Sequence, residues 1–360
     1  MQPIPTRIFT VTSALLLALA APAAGQGFVI ATPDSAARIT FGGRVQTIFN
    51  TTSVEDEPET QTELRRVRLE ANLQLGRVVS GRIQPDFAGD RVTLKDVYVR
   101  FTLDPALQIW AGQAHRPFGA ISPYSSARLL PMEKGVRIRG VDDAYDHYNL
   151  LAELGYSDRD LGLQLRGEPR GAPLGLTYAV GWFNGPARAD APEENSGQVV
   201  ARLSAAPVRG VRIGASWSRR DFILVDDEVE EVEREDGNAW AADVEVGSDR
   251  GGLHLIGEVA YGDFDPFAEA RFLGVQGMVG YRTGRLSSAI AAVEPLLRVS
   301  RGDPDYEGDN LGDAVGGTLY TPGVNIWLGG LNRLAVNYEI WNPREGDTAR
   351  SFKTMFQLAF

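Results

Sequence analysis

Arginine dominates the residues that could do chemistry. Of the 36 basic residues, all but Lys95, Lys134 and Lys353 are arginines. A guanidinium presents a planar, permanently charged donor fork that matches phosphate and related oxyanions bidentately. Spacing gives many of these groups a common direction. Arg66 and Arg68 lie two apart, and Arg44, Arg82 and Arg100 share the parity of the polar residues in neighbouring segments, as do Arg166, Arg202, Arg212 and Arg220 further on. A second group follows His115: Arg116, Arg128, Lys134, Arg137 and Arg139, set among Gly and Pro in a stretch without alternation. The candidate anion-binding residues are therefore Arg44, Arg66, Arg68, Arg82, Arg100, His115, Arg116, Arg128, Lys134, Arg137 and Arg139. Acids on the same faces (Glu70, Asp86, Asp96, Glu245, Glu258) are available to pair with single arginines. His254 and Glu258 share a strand face and are expected to pair with each other, while His147 lies in the irregular stretch and is uninformative. No histidine has a Ser or carboxylate arrangement that would make a nucleophile, so no enzyme is expected. Nor does the sequence call for a metal site or a cofactor.

The elements that must position these residues are strands. Val67, Leu69, Ala71, Leu73 and Leu75 alternate with Arg66, Arg68, Glu70, Asn72 and Gln74, a period of two. The last eleven residues repeat this, with Phe352, Phe356, Leu358 and a terminal Phe360 on one face and Ser351, Lys353, Met355 and Gln357 on the other. The fold class is all-β, and the segments count to sixteen strands if Tyr148 to Tyr156 belongs to the irregular stretch. Counting it as a seventeenth would put the first five strands out of phase with the rest. Residues 116–159 then form one inserted loop, the third on its side of the sheet. Short turns are expected to alternate with long loops, notably 51–62 and 221–237.

Sandwich and barrel share alternation, so further observations must choose. Arg7, the apolar run Ile8 to Ala20 and the small residues Ala21 to Gly25 read as a signal peptide covering residues 1–25, with the barrel domain in 26–360. The chain has no cysteine, so disulfides do not hold it. Apolar faces opposite charged ones, and aromatics near strand ends (Phe49, Phe101, Trp182, Trp217, Tyr261, Tyr281, Trp327, Trp341, Phe360), suit a transmembrane antiparallel β-barrel with interfacial girdles in outer-membrane lipid. In lipid a sheet must close on itself, and sixteen strands enclose an aqueous lumen. The formal charge of −11 excludes nucleic acid as a partner. The acids cluster in Glu55 to Glu59, Asp226 to Asp236 and Asp303 to Asp313, which read as solvated loops.

Several stretches carry a more specific signal. Glu63-Leu64-Arg65-Arg66-Val67-Arg68-Leu69, Leu94 to Phe101, Gly112-Gln113-Ala114-His115-Arg116-Pro117-Phe118, Met132-Glu133-Lys134 and Asp160 to Gln164 together resemble the phosphate-selective porin O and P family. The resemblance spans about residues 60 to 165. It implies a homotrimer of sixteen-stranded barrels in the outer membrane of a Gram-negative bacterium. Within each pore the third loop folds in as a constriction, and an arginine-lined path leads small anions such as phosphate to a lysine-rich centre. This chain departs at His115, where family members with a phosphate site carry Lys. Lys95 and Lys134 remain near the expected constriction, and alternation assigns Lys95 to the lipid-facing side. The channel that follows is a passive one preferring anions; a general or cation-tolerant porin and a structural or adhesive barrel are the alternatives.

Overall fold

The computed structural model describes residues 27–34, 36–54, 57–185, 197–226, 231–308 and 314–360. The expected signal peptide lies outside the described residues. Sixteen antiparallel strands form the wall. They are β1 (Ala37–Val54), β2 (Glu57–Leu75), β3 (Val79–Asp86), β4 (Thr93–Asp104), β5 (Leu107–His115), β6 (Arg159–Gly167), β7 (Thr177–Phe183) and β8 (Gln198–Val208), then β9 (Val211–Asp226), β10 (Glu231–Gly247), β11 (Gly252–Asp265), β12 (Ala270–Arg282), β13 (Ala292–Glu307), β14 (Val315–Gly329), β15 (Asn332–Pro343) and β16 (Ala349–Ala359). Each pairs with its neighbours in sequence, and β16 returns to β1 with Lys353 opposite Asn50. The sheet therefore has no edge strand. Val29–Ala31 pairs with the start of β1.

The pleat sorts the residues as alternation predicts. Along β16, Phe352, Phe356 and Leu358 stand outside and exposed, while Ser351, Lys353, Met355 and Gln357 are buried inside. The same parity on the other strands gives an exposed apolar exterior and an interior that is largely polar, broken by apolar patches at residues such as Val200, Ile256, Phe272, Met278 and Leu319. Two of the expected girdle aromatics are corrected. Trp327 and Trp341 share the parity of Asn325 and Glu339 and point inward, each 2% exposed; position near a strand end does not override pleat.

The expected loops at 51–62 and 221–237 are also corrected. Pairing there runs on to Val54 opposite Glu57 and to Asp226 opposite Glu231, so both are hairpins projecting past the barrel rim. Part of each acidic run consequently sits on strand ends instead of in loops. No helix is long and apolar enough to cross a membrane among the described residues.

Residues 116–158 leave β5 and fold into the lumen. Tyr148 to Tyr156 is not a strand. The chain instead makes a short helix, α1 (His147–Glu153), capped by Asp146, whose carboxylate accepts from the Asn149 N–H at 3.1 Å. The loop docks on apolar patches of the inner wall. Leu150, Leu151 and Tyr156 pack with Phe183, Val200 and Phe272, where inward Ala239, Ala241 and Ala260 leave room. Ile121, Leu129 and Leu130 pack with Ile256, Met278 and Leu296; Val136 and Ile138 pack with Leu319 and Trp341, and Met132 with Ile48, Ala335 and Met355. Ala144–Tyr145 adds a parallel bridge to β14 at Val315 and Gly316. The loop thus fills the side of the lumen bounded by β7 to β16, and open space is left along β1 to β5.

Candidate functional site

That space is a cavity of about 700 Å³ between the loop and the wall of β1 to β5. Ten cationic side chains line it against five carboxylates. Of the sequence-predicted residues, Arg44, Arg66, Arg68 and Arg82 come from the wall, His115 from the end of β5, and Arg128, Lys134 and Arg137 from the loop. Three others are not brought here. Arg100 donates to Ser80 Oγ at 2.8 Å and lies over Trp110, 5.4 Å from its ring centre. Arg116 is buried behind the loop, donating to Asp160 Oδ2 and the Ser157 carbonyl at 2.7 Å each. Arg139 is exposed at the rim and pairs with Glu59 at 3.1 Å.

Three cations that alternation did not assign to the lumen complete the lining: Arg65, Lys95 and Arg159. The first two share a cause. Between β1 and β2 the register passes from Gln46 opposite Arg66 to Thr47 opposite Leu64, so Arg65 is an extra residue. Between β3 and β4 it passes from Ile83 opposite Val97 to Pro85 opposite Leu94, so β4 carries one residue too many around Lys95. Each is a β-bulge, which re-aims a side chain that strict alternation would send outward. The lipid-facing assignment of Lys95 is thereby overturned. Gln113 secures the second bulge by donating to the carbonyls of Leu94 and Lys95 at 2.6 and 2.8 Å. Its neighbour Gly112, at φ +123°, has no room for a Cβ, which would lie 2.3 Å from the Val97 carbonyl oxygen.

Charge pairing divides the ten cations. Arg65 and Arg66 both bind Glu133, the latter at 2.7 Å. Arg68 pairs with Asp86 at 2.6 Å, Arg82 with Asp96 at 3.5 Å, Arg159 with Asp96 at 2.6 Å, Arg128 with Asp249 at 3.2 Å and Arg137 with Glu63 at 3.0 Å. Arg44, Lys95 and Lys134 have no carboxylate within ion-pair distance among the described residues. Arg44 donates to Ser126 Oγ at 3.0 Å, leaving its Nε without an acceptor. Lys134 donates to the Ser122 carbonyl and lies 5.4 Å from the Tyr148 ring centre. In the loop, burial pushes the Lys134 ammonium down to about 7; Asp158 opposes this while Arg159, Arg66 and Arg68 reinforce it. Burial alone would raise the Glu133 carboxyl, but Arg66 and Arg65 together outweigh it and hold it below the usual range. His115 stands 3.7 Å from Asp158.

A smaller cavity of about 250 Å³ shares Arg44, Arg68 and Arg128 with the first and reaches Gly330 and Phe360 at the short-turn end. The open space therefore extends from the loop to that end along one cationic wall. The expected pair His254–Glu258 does not form. His254 bonds Glu245 at 3.0 Å, and Glu258 bonds His147 at 2.8 Å while accepting from the Ala120 and Ile121 N–H groups at 2.5 and 2.9 Å. His147, uninformative in the sequence, is a buried tether between loop and wall.

A closed barrel with a lipid-facing exterior and an off-centre, charged passage defines an outer-membrane diffusion channel. The model of the family described as phosphate-selective porin O and P matches residues 39–234, and the chain belongs to that family. Its location is the outer membrane of a Gram-negative bacterium. No curated protein sequence matches it. Among solved structures it is similar to Salmonella typhi OmpF in complex with daunomycin, at 11% identity and TM-score 0.62 over 91% of this chain and 100% of that one. It is also similar to the trimer form of Vibrio cholerae OmpT, at 11% identity and TM-score 0.54 over 90% and 100%. The outer membrane channel DcaP of Acinetobacter baumannii aligns at 11% identity and TM-score 0.58 over 91% and 99%.

Proposed function

We propose that this channel passes small anions passively, with phosphate or a related oxyanion as its preferred solute and the folded-in loop as its filter. The observation that carries the reading is the trio Arg44, Lys95 and Lys134, cations facing the cavity without carboxylate partners. A paired guanidinium is largely neutralised, whereas an unpaired one in a confined lumen raises the local anion concentration. The barrel works as a homotrimer, as in the family and in the trimer form of OmpT, after removal of residues 1–25.

Planar-bilayer recording tests the solute preference. Phosphate added to a chloride solution should reduce the current, and Arg44→Ala or Lys95→Ala should each weaken that block. A charge-assisted contact in a partly wet lumen is worth ~1 kcal/mol, about fivefold in apparent affinity. Equal block in both variants and the parent would remove the trio from the solute path. A general or cation-tolerant porin is the second reading, favoured by the seven lining cations that are already paired. That porin would show no phosphate block.

A further inference from the structure

On β5 an amide faces outward among apolar neighbours. Gln113 has the parity of Ile109 and Ala111, and its partners across the sheet, Val97 on β4 and Leu161 on β6, also point out. An amide in hydrocarbon is costly unless its hydrogen-bonding groups are satisfied. The Nε2 of Gln113 donates to two backbone carbonyls, those of Leu94 and Lys95, at 2.6 and 2.8 Å.

Those carbonyls need a donor because of the bulge. Neither β3 nor β5 gives Lys95 a register partner: pairing with β5 ends at Val97 opposite Gln113, and pairing with β3 passes from Val97 opposite Ile83 to Leu94 opposite Pro85. Pro85 has no N–H to offer. The bulge leaves Lys95 and Asp96, adjacent in sequence, both on the cavity side. Asp96 is held there by Arg159 at 2.6 Å, whereas Lys95 has no carboxylate partner among the described residues. Leu94 and Val97, on either side of the pair, point outward. Without the extra residue, alternation from Val97 outward and Asp96 inward would send Lys95 outward.

We propose that Gln113 is a positioning residue for the channel's selectivity: by holding the bulge from the lipid side, it aims the Lys95 ammonium into the passage. It touches no solute itself. Removing its amide leaves two carbonyls in hydrocarbon without a donor, and β4 relieves this by straightening, which turns Lys95 out of the lumen. That Lys95 acts on the solute rests on the function proposed above; that Gln113 aims Lys95 does not.

The chain has no cysteine, so a single thiol introduced as Lys95→Cys reports its own surroundings. In the reconstituted barrel an anionic, membrane-impermeant methanethiosulfonate should react with it rapidly. In Gln113→Leu/Lys95→Cys the rate should fall about tenfold, because a thiol turned into hydrocarbon stays protonated and out of reach. A barrel merely destabilised by the loss of Gln113 would keep its rate. Phosphate block gives the functional reading: Gln113→Leu should weaken it about fivefold, as Lys95→Ala does, and the double variant Gln113→Leu/Lys95→Ala no further. Equal thiol rates with and without Gln113, or additive losses of block, would overturn the proposal. A lowered thiol rate with block unchanged in both single variants would uphold the role of Gln113 and remove Lys95 from the solute path. Should Gln113→Leu not assemble, Gln113→Met, which also lacks a donor, takes its place; failure of both to assemble would overturn a role confined to aiming Lys95.

Discussion

Lys134 sits where its charge changes near neutral pH. With its ammonium brought to about 7 by burial and by Arg159, Arg66 and Arg68, it is cationic below that pH and neutral above it. Anion preference should therefore fall as the bath passes from pH 6 to pH 8, and Lys134→Met should flatten the dependence. Reversal potentials in chloride, which does not titrate, make the measurement; a slope unchanged in the variant would contradict it. The same residue scale shows what alternation can and cannot reveal. Arg44, Arg66, Arg68 and Arg82 follow the pleat and were placed from sequence. Arg65 and Lys95 depend on bulges, whose single extra residue leaves no mark in a pattern of apolar and polar positions. Gly112-Gln113 was visible as a motif, yet its work of securing the second bulge needs the strand opposite.

At the scale of elements, the loop behaves as a docked domain and not as a flap. Phe118, Ile121, Leu129, Leu130, Met132, Leu150, Leu151 and Tyr156 are all at most 1% exposed. Burying such a side chain is worth ~1.5–3 kcal/mol, so together they far exceed any single tether such as Arg128–Asp249, worth at most ~1 kcal/mol. Dislodging the loop requires a steric wedge. A Cβ on Gly302 would meet the Tyr145 carbonyl oxygen at 2.2 Å, whereas one on Gly277 meets nothing within 4 Å. Gly302→Val should raise single-channel conductance and its noise, and Gly277→Val should leave both unchanged. Equal conductance in the two would mean that the loop does not limit the passage. Sequence signalled this docking indirectly. Inward positions are apolar at Val200, Ile256, Phe272, Met278, Leu296 and Leu319 but arginine-rich on β1 to β4, a contrast visible only when the strands are compared as a set. Helix α1 was missed because seven residues of His147–Glu153 are too few to establish a helical period against strand-like neighbours.

The whole molecule follows from turning a sheet inside out. Apolar residues face outward, polar ones inward, and closure at Lys353 opposite Asn50 leaves no unpaired edge in lipid. The strand number was readable because the phase of turns and loops constrains it. Loop lengths were not, since pairing extends at Val54–Glu57 and Asp226–Glu231 beyond the point where alternation fades into acidic sequence. The most consequential property is asymmetry. The formal charge of the chain is −11, yet the cavity is lined by ten cations against five carboxylates. Overall acidity and a cationic passage coexist because the loop leaves open only the arginine-bearing wall. The direct measurement is the zero-current potential of the reconstituted channel across a potassium chloride gradient. A sign showing that chloride carries most of the current is predicted; a sign showing that potassium does would contradict the account.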